Sequence, residues 1–555
     1  MSDPTTTAQP VSQPKRPVAV DAHSPIAVPT IAIVIVTWNR AAMVSDVIAA
    51  LARQRYPRAC IDAVVVDNAS TDGTAEMLIE RWGAERVVPN PTERAHEPAF
   101  AEPAPTGRGP NRAGLRSLTV VRNAHNLGGC GGFNTGFAYV QHAFDRPGSP
   151  TPPDYVWLVD DDIDLPDDAA QRLVEAAQGD PSIGLVGSRT VDIRNRDTTI
   201  ETTVYLDRRA GLMTDNAPPG HPRHDEHRAW AARVGGTKGK HDYTGLRDVD
   251  VVSACSLLAR WAAVREVGFW DWRYFIYCDD ADWCLRFGHA GWRVVLNLDA
   301  VVYHTPWHHK LTPARLYYAQ RNILWVLQKI LPPRELRRVA FRRLAGLMKD
   351  SLGAATHRRL FHAEIIRRTA DDACRNRPGK LDFEGPPTEP LLDALERTGS
   401  LAHGATIVIA CNHPDSLAWS AELRGAVAKR IPGRAGPRWI EVVRNDVPGC
   451  YVPMSGGVSR RVVYSGRLFS RLRRQWPLLL TPVRTCIVFD QVNDFPLARG
   501  RWNIHVDRRA PDRAQVERDG PARRAAFLAR WFVTGVRCVR YAATLRPYTS
   551  TTRYG

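Results

Sequence analysis

Residues 31–36 read Ile-Ala-Ile-Val-Ile-Val, an unbroken apolar run made mostly of β-branched residues. Such a strand has no polar face to give to water, so it must be covered on both sides, as strands of a parallel sheet are. Met43, Val44, Val47, Ile48 and Leu51 then recur at helical spacing. A second apolar run, Ala63–Val66, ends at Asp67, and the turn Asn68–Gly73 leads into a helix from about Thr74. Strand, helix, strand, helix opens an α/β domain built on a mostly parallel sheet flanked by helices.

The alternation continues as far as about residue 335. Residues 89–117, with their prolines, read as a surface insertion before a strand at Leu118–Val121. A glycine-rich segment, 126–136, runs into a helix, and Tyr155–Val159 is another apolar strand. A helix from near Pro166, a strand at Ile183–Gly187, a long loop over 207–248, helices at 261–267 and 280–290 and a strand at Val294–Leu296 follow. Beyond this the chain changes character. Arg-rich helical patterns occupy 334–368 and 521–543, with one β-like stretch at Ala405–Ala410. With 555 residues the chain exceeds what one core serves. The expected division is a disordered segment over 1–30, an α/β catalytic domain over 31–335, and a mainly helical C-terminal region over 336–555.

Charge and cysteine usage narrow the setting. The formal net charge is +17, which favours anionic partners such as lipid surfaces or phosphorylated substrates. The cations are not interleaved with an RNA- or DNA-binding motif, so nucleic acid is not an expected partner. The ten cysteines form no CxxC pair, which argues against a zinc site or a disulfide framework and for a reducing, cytoplasmic setting. No run of about 18 apolar residues occurs, so no spanning helix is expected. Ser459–Gln475 and Pro521–Arg540 carry many arginines and no acid. In the latter, Phe527, Leu528, Trp531, Phe532, Gly535, Val536 and Val539 recur at helical spacing. A basic amphipathic helix of this kind suits peripheral attachment to an anionic membrane face, here the inner face of the cell membrane.

Chemistry concentrates at the predicted strand ends, where ligands of open α/β sheets bind. Asp160, Asp161 and Asp162 follow one strand directly. Three adjacent carboxylates need a compensating charge, and oxygen-rich sites suit Mg²⁺ or Mn²⁺. Asp67, at another strand end, is placed to hydrogen-bond a nucleoside whose diphosphate the metal would neutralise. Gly128, Gly129, Gly131 and Gly132 precede a helix, where close backbone approach and the helix N-terminus favour phosphate, although the phosphate-loop Lys-Ser/Thr ending is missing. Asp279, Asp280 and Asp282 open another helix among bulky apolar groups, where crowding raises a carboxylate pKa toward general-base use. Trp270, Tyr277 and Trp283 are candidate apolar faces for an acceptor sugar, with core packing as the alternative for each.

In their order, Thr37-Trp38-Asn39-Arg40, the 67–73 turn, Asn126–Gly136, the Asp cluster, the Asp279–Asp282 segment and Tyr317–Asn322 resemble the family-2 inverting glycosyltransferases with a GT-A fold. The resemblance covers about residues 31–330. Within that family, 126–133 and 160–163 look like the galactofuranosyltransferases of actinobacterial cell-wall galactan synthesis. That resemblance implies Mn²⁺ or Mg²⁺ held by Asp160, Asp162 and His304, and Asp280 as base with Asp279 beside it. It also implies nucleotide-sugar contacts at Thr37, Arg40, Asp67, Asn126, Asp161 and the glycines, a UDP-galactofuranose donor, and a glycan acceptor that is lipid-linked. Val251–Ser256 reads closer to generic members such as rhamnosyltransferases using a dTDP donor. An inactive glycan- or lipid-binding module is the reading from another class.

Overall fold

The structure, a computed structural model, describes residues 28–146, 151–307, 310, 312–357, 359–383, 385–454, 457–465, 468–489, 496–507, 510–518 and 520–548. Apart from residues 28–30, the N-terminal segment expected to be disordered lies outside the described residues.

The strands of the first sheet are β1 (Ile31–Thr37), β2 (Ile61–Asp67), β3 (Arg86–Asn90), β4 (Ala104–Pro105), β5 (Ser117–Asn123), β6 (Tyr155–Asp160), β7 (Ile183–Asp192) and β8 (Thr199–Glu201). A separate pair, β9 (Tyr205–Asp207) and β10 (Leu212–Thr214), precedes β11 (Leu246–Asp248), β12 (Ser256–Arg260) and β13 (Arg293–His304). The order is β11-β13-β7-β12-β6-β1-β2-β5-β3-β4, with β8 beside β7. Neighbours β6, β1, β2, β5 and β3 run parallel, whereas β12 is antiparallel to both β6 and β7.

As its composition requires, β1 is covered on both faces. Ile31, Ile33 and Ile35 belong to one core, with Val47 and Ile48 of α1 (Ala41–Ala52). Ala32 and Val34 belong to another, with Phe133 and Phe137 of the helix Gly128–Phe144. Between these helices in the chain lies α2 (Thr74–Trp82), so the helix Gly128–Phe144 is α3, followed by α4 (Ala169–Gly179). The stretch 207–248, expected to be a loop, contains β10, β11 and α5 (His224–Val234), whose Trp230 packs into the core that holds Ala32 and Val34. Its Gly, His and Arg content hid the short apolar register that makes it fold. The helices α6 (Trp261–Val267), α7 (Asp279–His289) and α8 (Pro313–Ile330) complete the domain.

After residue 330, α9 (Pro333–Thr356), α10 (Leu360–Cys374), α11 (Leu391–Arg397), α12 (Ser416–Arg430), α13 (Leu468–Leu480) and α14 (Pro521–Thr544) make helix the main secondary structure. A second sheet accompanies them: β14 (Thr388–Pro390), β15 (Thr406–Cys411), β16 (Arg438–Arg444), β17 (Val458–Tyr464), β18 (Val483–Phe489), β19 (Gly500–Asp507) and β20 (Ala510–Arg518). Its order is β14-β20-β19-β18-β15-β16-β17, parallel from β17 to β19. In sequence order these five strands run 3-2-1-4-5, the arrangement of doubly wound sheets. Only β15 was legible beforehand; β17 (Val-Ser-Arg-Arg-Val-Val-Tyr) and β20 carry arginines that mask the apolar alternation. The helices α9 and α10 tie the sheets together, since Arg359 donates to Cys486 Sγ of β18 and Phe361 N donates to Glu517 of β20.

Candidate active site

Strand register brings the acids to one level. Thr37 pairs with Asp67 across β1 and β2, and Val36 pairs with Asp160 across β1 and β6. The carboxyl ends of three adjacent parallel strands therefore share one rim. Thr37 and Asp67 are buried there, and Asp67 Oδ1 accepts the Ser70 N–H at 2.9 Å. From the N-cap position of α1, Arg40 reaches Asp161 at 2.7 Å and Asp162 at 3.1 Å.

Asp160, Asp162 and His304 offer one donor atom each, all within 4.8 Å of one another. Two carboxylate oxygens and an imidazole nitrogen suit Mn²⁺ or Mg²⁺. The charge logic of the cluster agrees with a cation-holding role. Lys310 Nζ lies 2.7 Å from both Asp162 Oδ2 and His304 Nε2, so an ammonium supplies positive charge at the point where the three donors converge. Lys310 had no motif signal in the sequence; the loop after β13 delivers it. Burial acts against ionisation of Asp162, yet the His304 hydrogen bond and the Lys310 and Arg40 charges hold its carboxyl far below the usual range. Burial and the adjacent Asp162 charge raise Asp160. Burial pushes Asp161 up to about 6, against the pull of Arg40.

The second pair of acids faces this cluster. Burial raises Asp280 above the ordinary carboxylate range and the Asp160 charge adds to it, while the Ala281 and Ala254 N–H groups oppose the rise. Burial and the Asp280 charge raise Asp279 further. One segment braces both clusters: Ala254 N donates to Asp280 Oδ2 at 3.4 Å, and Cys255 O accepts from Asp160 N at 3.0 Å. Asp282 belongs to neither cluster. It is buried against Tyr274 Oη, Arg286 and Lys329, a structural ion-pair network.

The loop that presents Asp279 and Asp280 is strained. Phe275, Tyr277 and Cys278 adopt φ of 64°, 68° and 64°, a region costly for residues with a Cβ and tolerated where surroundings enforce it. Arg321 and Asn322, both fully buried, provide that enforcement. Asn322 Nδ2 donates to the carbonyls of Tyr274, Ile276 and Tyr277 at 3.0, 2.9 and 2.8 Å, and Arg321 donates to Tyr274 O at 3.1 Å. The Tyr317–Asn322 motif thus acts as a clamp on the loop, a role invisible in one dimension. Another group missed by motif reading is Glu201 on β8. Burial and the nearby Asp280 charge push it up to about 7, and its Oε1 has no hydrogen-bond partner among the described residues.

Two groups of expectations need correction. Gly128, Gly131 and Gly132 are buried and pack on protein, so their place in the structure is accounted for by close packing. A Cβ at Gly128, whose φ is +75°, would lie 2.2 Å from Phe275 O, and one at Gly132 would lie 2.4 Å from Val36 Cγ1. These glycines let α3 press onto β1 and onto the 275–278 loop. Of the expected phosphate-binding segment only Gly129 and Asn126 keep partial exposure, and Asn126 Oδ1 accepts Gly128 N at 2.9 Å. Trp270 and Trp283 are not acceptor walls: both are buried, 6.0 Å apart edge to face, against Phe133 and Phe137. Tyr277 alone of the three aromatics is partly exposed, its hydroxyl accepting from Arg315 Nη1 at 3.2 Å. Trp283→Ala is accordingly expected to lower stability by roughly 3–5 kcal/mol; an unchanged urea midpoint would contradict its place in the core.

Acids on the carboxyl rim of a mixed sheet, facing two raised carboxylates on a clamped loop, define a GT-A arrangement. The model of glycosyl transferase family 2 matches residues 32–99 and 113–235. Over those residues the N-terminal domain is similar to family-2 glycosyltransferases, and its mixed sheet with flanking helices has the GT-A architecture. The N-acetylglucosaminyl-diphospho-decaprenol L-rhamnosyltransferase of Mycobacterium tuberculosis is 26% identical over 254 residues, 45% of this chain and 67% of that protein. Among solved structures, the mannosyltransferase of Pyrobaculum calidifontis in complex with GDP-Man and Mn²⁺ matches at TM-score 0.34 and 17% identity, over 64% of this chain and 90% of that one. S. aureus TarS 1–349 in complex with UDP-GlcNAc matches at TM-score 0.35 and 13% identity, over 63% and 82%.

Proposed function

We propose that the chain is a metal-dependent inverting glycosyltransferase that moves a sugar from a nucleotide diphosphate onto a lipid-linked glycan. The observation that carries this is the pairing of a carboxylate–imidazole cluster, Asp160, Asp162 and His304, with a half-buried carboxylate of raised pKa, Asp280. Asp160, Asp162 and His304 would hold Mn²⁺ or Mg²⁺, which when bound neutralises charge developing on the diphosphate leaving group. Asp280 takes the proton of the acceptor hydroxyl as that oxygen attacks the anomeric carbon. A single displacement inverts the anomeric configuration. Asp67, Thr37, Arg40 and Asp161 line the donor side, and Tyr277 the acceptor side. By these roles the catalytic domain extends over 31–335 and the Arg-rich region, 336–555, serves the acceptor and the membrane.

Two donor readings have separate support. Asn126–Phe133 and Asp160–Ile163 favour UDP-galactofuranose. The relative from M. tuberculosis, a rhamnosyltransferase acting on a diphospho-decaprenol, favours a dTDP-rhamnose donor and a polyprenyl-linked acceptor. Incubating the protein with Mn²⁺ and a panel of nucleotide sugars tests the proposal: consumption of one donor supports it, and consumption of none contradicts it.

Membrane attachment gains support from α14. No helix among the described residues is long and apolar enough to cross a membrane. Phe527 and Cys538 of α14 are buried, and Trp531 donates to Met348 O. The opposite face exposes Leu528, Phe532, Val533, Val536 and Val539 near Arg523 and Arg540. A helix with one docked face and one free apolar, basic face fits an anionic lipid surface. Co-sedimentation with phosphatidylglycerol vesicles is expected, weakening as salt screens the charges and on replacing Arg523, Arg524 and Arg530 with Gln. Protein left in the supernatant at low salt contradicts this placement.

A further inference from the structure

A cavity of about 610 Å³ opens between α8, α9 and α10, with part of one wall supplied by α13. Its charged lining is lopsided among the described residues: Arg342, Arg343, Lys349 and Arg471 against the carboxylate of Asp350. Arg342, Arg343 and Lys349 are weakly compensated by the contacts they make. Arg342 donates to the Arg209 carbonyl, which carries no charge, and Lys349 reaches Asp350 only at 3.9 Å. Arg343 donates one N–H to Gln320 Oε1, while its Nε is buried with no hydrogen-bond partner among the described residues. An unpaired buried guanidinium N–H costs free energy that an anionic oxygen would recover. Leu316 and Ile365 give the cavity an apolar side.

A short chain of protein contacts runs from the cavity wall to the loop that carries Asp279 and Asp280. Gln320, the acceptor for Arg343, follows Ala319, whose carbonyl accepts from the Cys278 thiol at 3.7 Å. Cys278 is the N-cap residue of the helix that opens with Asp279 and Asp280. A group held at Arg343 is therefore anchored beside the loop that carries the base.

The geometry points to a binding site for the phosphoryl group of the acceptor, in which Arg342, Arg343 and Lys349 hold a mono- or diphosphate while the attached saccharide extends toward Asp280. This rests on the reading of the chain as a transferase with a phosphate-linked glycan acceptor. Both a lipid-linked diphosphate and a soluble phosphoester present this chemistry.

The test is titration calorimetry on the full chain in EDTA, which keeps diphosphates from binding through a divalent ion at Asp160 and Asp162. Farnesyl diphosphate, inorganic pyrophosphate and farnesol are the probes. Farnesyl diphosphate is expected to bind, and Arg342→Gln with Lys349→Gln to weaken it about tenfold through the loss of charge-assisted contacts. Both side chains are exposed, so the double variant keeps its fold; Arg343→Gln should act in the same direction. Asp160→Ala should bind it as the wild type does. Farnesyl diphosphate binding more tightly than pyrophosphate identifies a lipid-linked ligand, and equal binding identifies a soluble phosphoester. The site is overturned if neither diphosphate binds, if farnesol binds as well as farnesyl diphosphate, or if the double variant binds with wild-type affinity. Donor consumption is measured separately, so diphosphate binding without any donor turnover contradicts the transferase reading and leaves the anion site standing.

Discussion

Asp280→Asn is expected to lower the transfer rate by roughly 10²–10⁴-fold while donor affinity stays near that of the wild type. The change is nearly isosteric: Ala281 N–H donates to one carboxylate oxygen at 2.7 Å and Ala254 N–H to the other at 3.4 Å, so asparagine keeps an oxygen for the shorter of the two bonds. What is lost is proton acceptance. The pH profile carries the same signature. A base must be ionised, and burial raises Asp280 above the ordinary carboxylate range. Activity therefore falls as pH drops through that raised value, with the acid limb displaced upward from an exposed carboxylate's. The limb should disappear from what activity Asp280→Asn retains. If Asp279→Asn is crippled and Asp280→Asn is not, the base is the neighbouring acid, which burial and the Asp280 charge raise still further.

Asp160→Ala and Asp162→Ala are expected to abolish transfer, by on the order of 10³-fold or more, because each removes an anionic ligand for a cation that stabilises the leaving group. Both carboxylates project from the end of β6 and not into a packed core, so circular dichroism spectra should match the wild type. The two variants differ in their neighbours. Asp162 is the partner of Arg40, His304 and Lys310, and its removal leaves three basic groups facing one another. Asp160→Ala leaves those contacts in place. Measured Mn²⁺ affinity should fall in both, and unchanged affinity in either would remove that residue from the ligand set.

Much of the first domain was legible because its strands are short, continuous and apolar. Ile31–Val36 permitted only a position with both faces covered, and the acids at Asp67 and Asp160–Asp162 marked the strand ends. Legibility failed where sequence neighbours and spatial neighbours part company. The glycines at 128, 131 and 132 looked like a phosphate cradle because glycine permits any close approach; what approaches is Phe275, Leu127 and Val36. Trp283 follows Asp279, Asp280 and Asp282 in the chain yet points into the core, since successive helix positions face different directions. Lys310, Glu201 and the Asn322 clamp reach the site from separate elements and leave no local pattern. In the second sheet, arginines on β17 are held by structure, as with Arg461 paired to buried Glu441, and this turned an apolar alternation into an apparently polar segment.

The most direct measurement of the central claim is a transfer assay with the consumed nucleotide sugar and its acceptor, run with Mn²⁺ and with excess EDTA, followed by NMR assignment of the new anomeric centre. The account predicts transfer with Mn²⁺, its loss in EDTA and recovery on returning the ion, and a product of inverted configuration. Undiminished transfer in excess EDTA, or a product that retains the donor's configuration, would contradict it.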